Sequence, residues 1–218
     1  MLLGMLSLAI AALWGQSNPV KFDTELVRVL DVTNTPGQKS RLHRHTVNRV
    51  MVHLDAGKMR LSYEDGSKQD LSWRRGQVRW DPAGGMHTSE NTGGGGFRIV
   101  EVEIKKPGAG TAVFGELDPV KVAPKQYRVE MENEQVRVVR ARLSGNEAVP
   151  LHEHRLPRVV VFLTDYRLQV TSEDGKVMDV AGKAGDIAMP GPARHSERNL
   201  STSSFEVIAV ELKRDFPN

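Results

Sequence analysis

The chain repeats itself. Val27-Arg28-Val29 recurs as Val136-Arg137-Val138, His43-x-His45 as His152-x-His154, Asp65-Gly66 as Asp174-Gly175 and Gly76 as Gly185, always 109 residues on. One residue is then lost and the spacing becomes 108. Pro82 answers to Pro190, His87 to His195 and Asn91 to Asn199, while Phe97, Glu103 and Lys105 answer to Phe205, Glu211 and Lys213. An offset held through both halves makes the 218 residues two copies of one unit, each of roughly 100 residues, an ordinary domain size. We place the units at residues 16–115 and 116–218, as separate barrels with their own cores. The boundary lies in the Pro- and Gly-punctuated stretch from Lys106 to about Pro119.

Each unit reads as all-β. Val27–Val32, Val47–Leu54, Gln77–Trp80, Phe97–Ile104, Val136–Leu143, Val159–Leu163 and Phe205–Leu212 are short and rich in Val, Ile and aromatics, with Gly, Pro, Asn and Asp between them. Glu64-Asp65-Gly66 and Glu173-Asp174-Gly175 have the composition of tight hairpin turns. Glu101-Val102-Glu103-Ile104 alternates, which predicts a half-buried strand. No stretch reads as a helix of three turns. Regular short strands at this spacing predict two tandem sandwiches or small barrels.

Ahead of the units, residues 1–14 carry no charged side chain, and residues 1–15 read as a signal peptide. The run is too short to span a bilayer, which takes about 20 apolar residues, but fits the apolar stretch of a secretory signal. Cleavage after Gly15 would leave a periplasmic or secreted protein with no membrane attachment. The Lys or Arg that usually opens such a signal is missing.

The 30 basic and 27 acidic residues are scattered, which argues against nucleic acid as a partner. The chain has no cysteine, so thiolate metal sites, disulfides and a cysteine nucleophile are excluded. Metal chemistry would fall to His, Asp and Glu. Six of the seven histidines sit in the repeated frame: His43, His45 and His87 in unit one, His152, His154 and His195 in unit two. A His-x-His pair on a strand sends both rings to one face, and a third His can come from a neighbouring strand. Three neutral imidazoles suit a divalent transition metal such as Fe, Mn, Ni, Cu or Zn. A partly exposed polar role would fit one lone histidine better than the same trio kept in two diverged halves.

These residues resemble the cupin family. Gly37-x5-His43-x-His45 is similar to the first cupin motif, and Gly76-x5-Pro82-x-Gly84-x2-His87-x3-Asn91 to the second. Unit two repeats them as Gly145-x6-His152-x-His154 and Gly185-x4-Pro190-x-Pro192-x2-His195-x3-Asn199, with one residue added, one missing and Pro192 in place of the usual Gly. The segment from Glu132 to Leu163 also resembles small single-domain cupins linked to β-alanine breakdown. The resemblance spans nearly all of residues 20–215. It implies a bicupin: two jelly-roll-like β-barrels, each with a metal site inside.

One departure matters. Where cupins typically carry a Glu ligand, with three residues between it and the second His of the pair, this chain has Arg49 and Arg158. Arginine cannot ligate a metal. A guanidinium about 6 Å from a divalent ion repels it by about 5 kcal/mol at an effective dielectric of about 20. Either Arg49 and Arg158 clamp an anionic substrate beside the metal, or they pair with nearby carboxylates and stabilise the barrel. The first option makes the chain a dioxygenase-like oxidoreductase acting on a small carboxylate-bearing molecule. A non-catalytic small-ligand binder and a metal-dependent isomerase are the alternatives, and an oligomer is compatible with any of them. Lesser candidates are His53, whose counterpart Phe162 points to space filling; Trp73 and Trp80, flanking Gly76; and Glu90 and Glu197, just before the motif asparagines.

Overall fold

The computed structural model describes residues 19–108 and 112–213. The apolar leader lies outside them, and among the described residues no helix is long and apolar enough to cross a membrane. Unit one has eight strands: β1 (Val20–Asp23), β2 (Val27–Asn34), β3 (Arg49–His53), β4 (Gly57–Tyr63), β5 (Lys68–Trp73), β6 (Val78–Asp81), β7 (His87–Asn91) and β8 (Phe97–Ile104). A single short helix, α1 (Pro119–Val122), capped by the Asp118 side chain, leads into unit two. There the strands are β9 (Tyr127–Glu132), β10 (Val136–Leu143), β11 (Ala148–His154), β12 (Arg158–Phe162), β13 (Tyr166–Ser172), β14 (Val177–Gly182), β15 (Ile187–Ala188), β16 (Ala193–Asn199) and β17 (Phe205–Leu212).

Each unit pairs a five-stranded sheet with a smaller one. In unit one the orders are β1-β2-β8-β3-β6 and β5-β4-β7; in unit two they are β15-β12-β17-β10-β9 and β11-β16-β13-β14. The hairpin turns fall where Asp-Gly predicts them. Gly66 and Gly175 both take φ 83°, a left-handed conformation that glycine adopts without strain.

The main core lies between the units rather than inside them. Val27, Val29, Val50, Val52, Val100 and Val102 of unit one form one buried cluster with Val136, Val138, Val159, Val161, Ile208 and Val210 of unit two. Strand alternation explains this. On β3, Val50 and Val52 join that cluster while Arg49 and Met51 line the barrel interior, as Glu101 does on β8. Each unit keeps a buried cluster of its own, Met51, Trp73, Phe97 and Ile99 in unit one and the one around Tyr127, Leu143, Leu168 and Phe205 in unit two. The expectation of fully separate cores is corrected, because the two large sheets also bury their outer faces together. The expectation of a half-buried Glu101–Ile104 strand is corrected too. Glu101, Val102 and Ile104 are buried and Glu103 is half-buried, so both faces of β8 are covered.

The unit interface carries a charge-swapped device. Asp31 and Arg98 pair in unit one at 2.6 Å, and Arg140 and Glu206 pair at 2.6 Å at the corresponding positions of unit two. Each arginine then donates to the other unit's turn glycine: Arg98 to the Gly185 carbonyl at 3.0 Å, Arg140 to the Gly76 carbonyl at 2.5 Å.

Candidate metal centre

The six repeated histidines converge as two triads. The ligating nitrogens of His43, His45 and His87 lie within 4.8 Å of one another, and so do those of His152, His154 and His195. In unit two the local cause is the expected one. His152 and His154 sit on β11 and pair with β16, His152 directly opposite His195. In unit one the expected strand is absent. His43 makes only an isolated bridge to His87, and His45 follows in an irregular segment.

Backbone contacts fix the ring orientation. Nδ1 of His43 lies 2.8 Å from the Arg41 carbonyl, Nδ1 of His152 lies 2.9 Å from the Pro150 carbonyl, and Nδ1 of His87 lies 3.0 Å from the Gly85 carbonyl. A proton on Nδ1 donates to that carbonyl and leaves the Nε2 lone pair free for a ligand, the usual support for a metal-binding imidazole. Burial holds His87, His152 and His154 below the ordinary imidazole value and takes His195 down to about 3. These rings are therefore neutral at pH 7, as ligands must be. Both triads are compatible with a metal site.

Around the triads the barrels differ. Arg49 donates through Nε to Asp81 at 2.8 Å and through Nη1 to Glu101 at 2.9 Å, and the same Nη1 lies 2.6 Å from His45 Nε2. Glu103 lies 4.0 Å from His45. Asp81 and Glu101 thus pair the Arg49 guanidinium directly, although Arg79 shares Asp81 and Arg28 lies 4.0 Å from Glu103. Among the described residues Arg158 makes no such ion pair: it donates to the Gly191 carbonyl at 2.8 Å, and burial lowers its pKa against the opposing pull of Glu211 and Glu197. The residue missing from unit two is the counterpart of Asp81. Val78 and Ile187 hold equal register positions opposite Val52 and Val161, and the matching prolines, Pro82 and Pro190, follow four and three residues later, with Trp80 and Met189 both packed on the shared core between them.

The interiors differ as well. In unit one the triad lines a cavity of about 720 Å³ together with Leu30, Asn34, Asp81 and Glu101. In unit two the residues equivalent to Leu30, Asn34 and Glu101 are Val139, Leu143 and Ala209. Val139 and Leu143 join a buried cluster with Tyr127, Leu168 and Phe205, against which Phe162 and Tyr166 pack. The linker covers this barrel. Asp118 pairs bidentately with Arg137 at 2.6 and 2.8 Å, and Phe114 stacks 3.8 Å from the Arg137 guanidinium. Beneath them Glu211 lies 3.4 Å from His154 and is pushed up to about 7 by burial.

The lesser candidates separate. His53 is buried, bonds the Gln77 carbonyl through Nδ1 at 2.8 Å and packs on Trp73 at 4.6 Å between ring centroids. Phe162 packs on Tyr166 in the same way, at 3.8 Å. Trp73 is buried and Trp80 packs on the shared core. Glu90 and Glu197 are not equivalent. Glu90 pairs in register with Arg60, whereas Glu197 stands at the position of Ser89 and accepts a hydrogen bond from Tyr127, whose hydroxyl is 3.3 Å from His152. Sequence reasoning missed Asp81, Glu101 and Tyr127. The unequal spacing after Gly76 was the one available signal, and it pointed at Asp81. The motif asparagines tie loops: Asn91 donates to the Gly95 carbonyl at 3.0 Å and Asn199 to the Ser203 carbonyl at 2.8 Å.

No protein-family model and no curated protein matches the chain. Solved structures do. AerE from Microcystis aeruginosa aligns over 92% of this chain and 98% of its own, with a TM-score of 0.63 at 12% identity. An oxalate decarboxylase from Bacillus subtilis aligns over 89% of this chain and 71% of its own, with a TM-score of 0.60 at 13% identity. The chain has the bicupin fold. At these identities the likeness establishes the bicupin fold and no activity. A cupin domain from Bordetella pertussis is 30% identical over 42% of this bicupin and 95% of its own chain, with a TM-score of 0.40.

Proposed function

We propose that this bicupin is a metal-dependent, dioxygenase-like oxidoreductase acting on a small carboxylate-bearing molecule, with its working site in the first barrel. The observation that carries the reading is the opening of the His43, His45 and His87 triad onto the 720 Å³ cavity, a volume suited to a small organic ligand. A bound Fe, Mn, Ni, Cu or Zn ion would supply Lewis acidity, and the first two and Cu also redox chemistry. The protein's own part is to hold and neutralise. The three imidazoles present their lone pairs, and Asp81 and Glu101, with Glu103 nearby, counter the Arg49 charge that would otherwise repel the ion. The buried Leu61 and Ile99 side chains and the half-buried Met59 line the remaining wall and limit the water beside the triad.

With Arg49 already engaged by two carboxylates, its role is to set the charge of the barrel floor. The second triad, with Tyr127 and Glu211 against it and only a shallow depression at His154, is in this reading not the working site. In the oxalate decarboxylase of Bacillus subtilis, Mn(II) centres are described, which makes Mn, with Fe, a first ion to load. Dioxygen uptake by metal-loaded protein across a panel of small mono- and dicarboxylates tests the reading. Uptake with at least one of them is expected, lost in His87→Ala and kept in His195→Ala. Ligand binding without turnover by metal-loaded protein would instead make this a binding module.

A further inference from the structure

The first barrel's cavity is lined by four cationic side chains, Lys39, Arg41, Arg49 and Arg79, and by two carboxylates, Asp81 and Glu101. Two of the cations are committed. Arg49 holds Asp81 and Glu101, and Arg79 lies 3.2 Å from Asp81. Lys39 and Arg41 are exposed and have no ion-pair partner among the described residues. They flank Ser40, whose hydroxyl accepts from the Ser89 amide at 2.8 Å and fixes this segment to β7. The Arg41 carbonyl in turn orients His43. Both cations therefore stand on the segment that positions the triad and line the cavity, Lys39 in register opposite Glu90 of β7.

Residues 36–48 contain no Asp or Glu, so nothing on that segment neutralises them. In the filled second barrel the corresponding residues are Ala148 and Pro150. The two cations occur only where there is a cavity to serve. Excess positive charge at the rim of a low-dielectric pocket concentrates an anion and fixes which end enters first.

We infer that Lys39 and Arg41 are the anion-recognising residues of this bicupin, and that they select a small dicarboxylate or similarly dianionic molecule. The inference rests on the reading of the first barrel as a small-molecule site, and it moves anion recognition from Arg49 to the rim. Exposed charge pairs are individually weak, so the two together account for about a tenfold change in affinity, larger at low salt.

The test uses succinate and its neutral diamide, succinamide, titrated calorimetrically into metal-loaded wild type, the Lys39→Gln/Arg41→Gln double variant and Lys68→Gln. Lys68 is an exposed cation of the same unit, away from the cavity. Succinate should bind wild type and Lys68→Gln alike and the double variant about tenfold more weakly, with the difference shrinking as salt is raised. Succinamide should bind at least tenfold more weakly than succinate in wild type. Metal content should be equal in all three proteins. A wild type that binds no succinate, a double variant that binds it as wild type does, or equal weakening by Lys68→Gln would overturn the inference. Proteins that hold no metal yet keep the succinate difference would support the anion site while overturning the metal-centre reading.

Discussion

The two barrels share the strand order of their large sheets and a histidine triad, yet one triad opens onto a deep cavity while the other barrel has an apolar interior and only a shallow surface depression reaching His154. In the first, Asn34, Asp81 and Glu101 line open space; in the second the interior is Val139, Leu143, Phe205 and Tyr127. The fold needs only one face of each large sheet to be apolar, because the shared Val and Ile cluster between the units supplies the main hydrophobic stabilisation. The inner faces were thus free to diverge. One became polar and hollow, and the other gained apolar volume, lost the Asp81 position and acquired a covering linker.

The largest effect should come from the place where the barrels solved one packing problem in opposite ways. Gly57 stands opposite Trp73 in unit one, and Tyr166 opposite Gly182 in unit two. A Cβ on Gly57 would lie 2.6 Å from Trp73, and one on Gly182 would lie 2.6 Å from the Tyr166 ring. Trp73→Gly should cost about 4 kcal/mol in denaturant unfolding, and Gly57→Tyr alone should destabilise by overpacking. Combined, they rebuild the unit-two arrangement and should recover at least half of the Trp73→Gly loss. Additive losses would show that the exchange is not a true equivalence.

Next in size is an acid effect at His53, which Phe162 replaces in the second barrel. Burial takes the His53 pKa to about 4 in the folded protein, against about 6.5 unfolded. The unfolded chain therefore takes up the proton first. The resulting stability is fully present above about pH 6.5 and is lost as pH falls toward 4, by up to about 3 kcal/mol. His53→Phe should flatten that decline in melting curves run from pH 7 to 4. Glu211, raised to about 7, works in the opposite sense over part of the same range and cancels in the comparison of the two proteins.

Smaller effects should separate the two interface arginines. Arg140 is buried and bonds Glu130, Glu206 and the Gly76 carbonyl. Arg98 is a third exposed and bonds Asp31 and the Gly185 carbonyl. Arg140→Ala should cost about 2 kcal/mol and Arg98→Ala about 1 kcal/mol, since screening grows with exposure. Equal costs would contradict the difference in burial.

The repeat made the duplication, the β class and both triads legible, because period-two apolar runs and a preserved His-x-His pair are local signals. The strands with mixed patterns were not legible. β5 (Lys-Gln-Asp-Leu-Ser-Trp) and β7 (His-Thr-Ser-Glu-Asn) lack an apolar run, and they form by pairing with β4 rather than by propensity. The partners of Arg49 were hidden for a similar reason. Asp81 and Glu101 are 32 and 52 residues away in the chain and reach it only through the β6-β3-β8 sheet order. Whether a cavity survives inside a barrel depends on summed side-chain volumes, which no motif reports.

The most direct test of the inequality between the barrels is calorimetric titration of Mn(II) into metal-free wild type, His87→Ala and His195→Ala, under conditions where all three remain folded. The account predicts one tight binding event in wild type, lost in His87→Ala and retained with little change in His195→Ala. A tight event that survives His87→Ala and disappears in His195→Ala would place the working metal in the filled barrel and contradict the account.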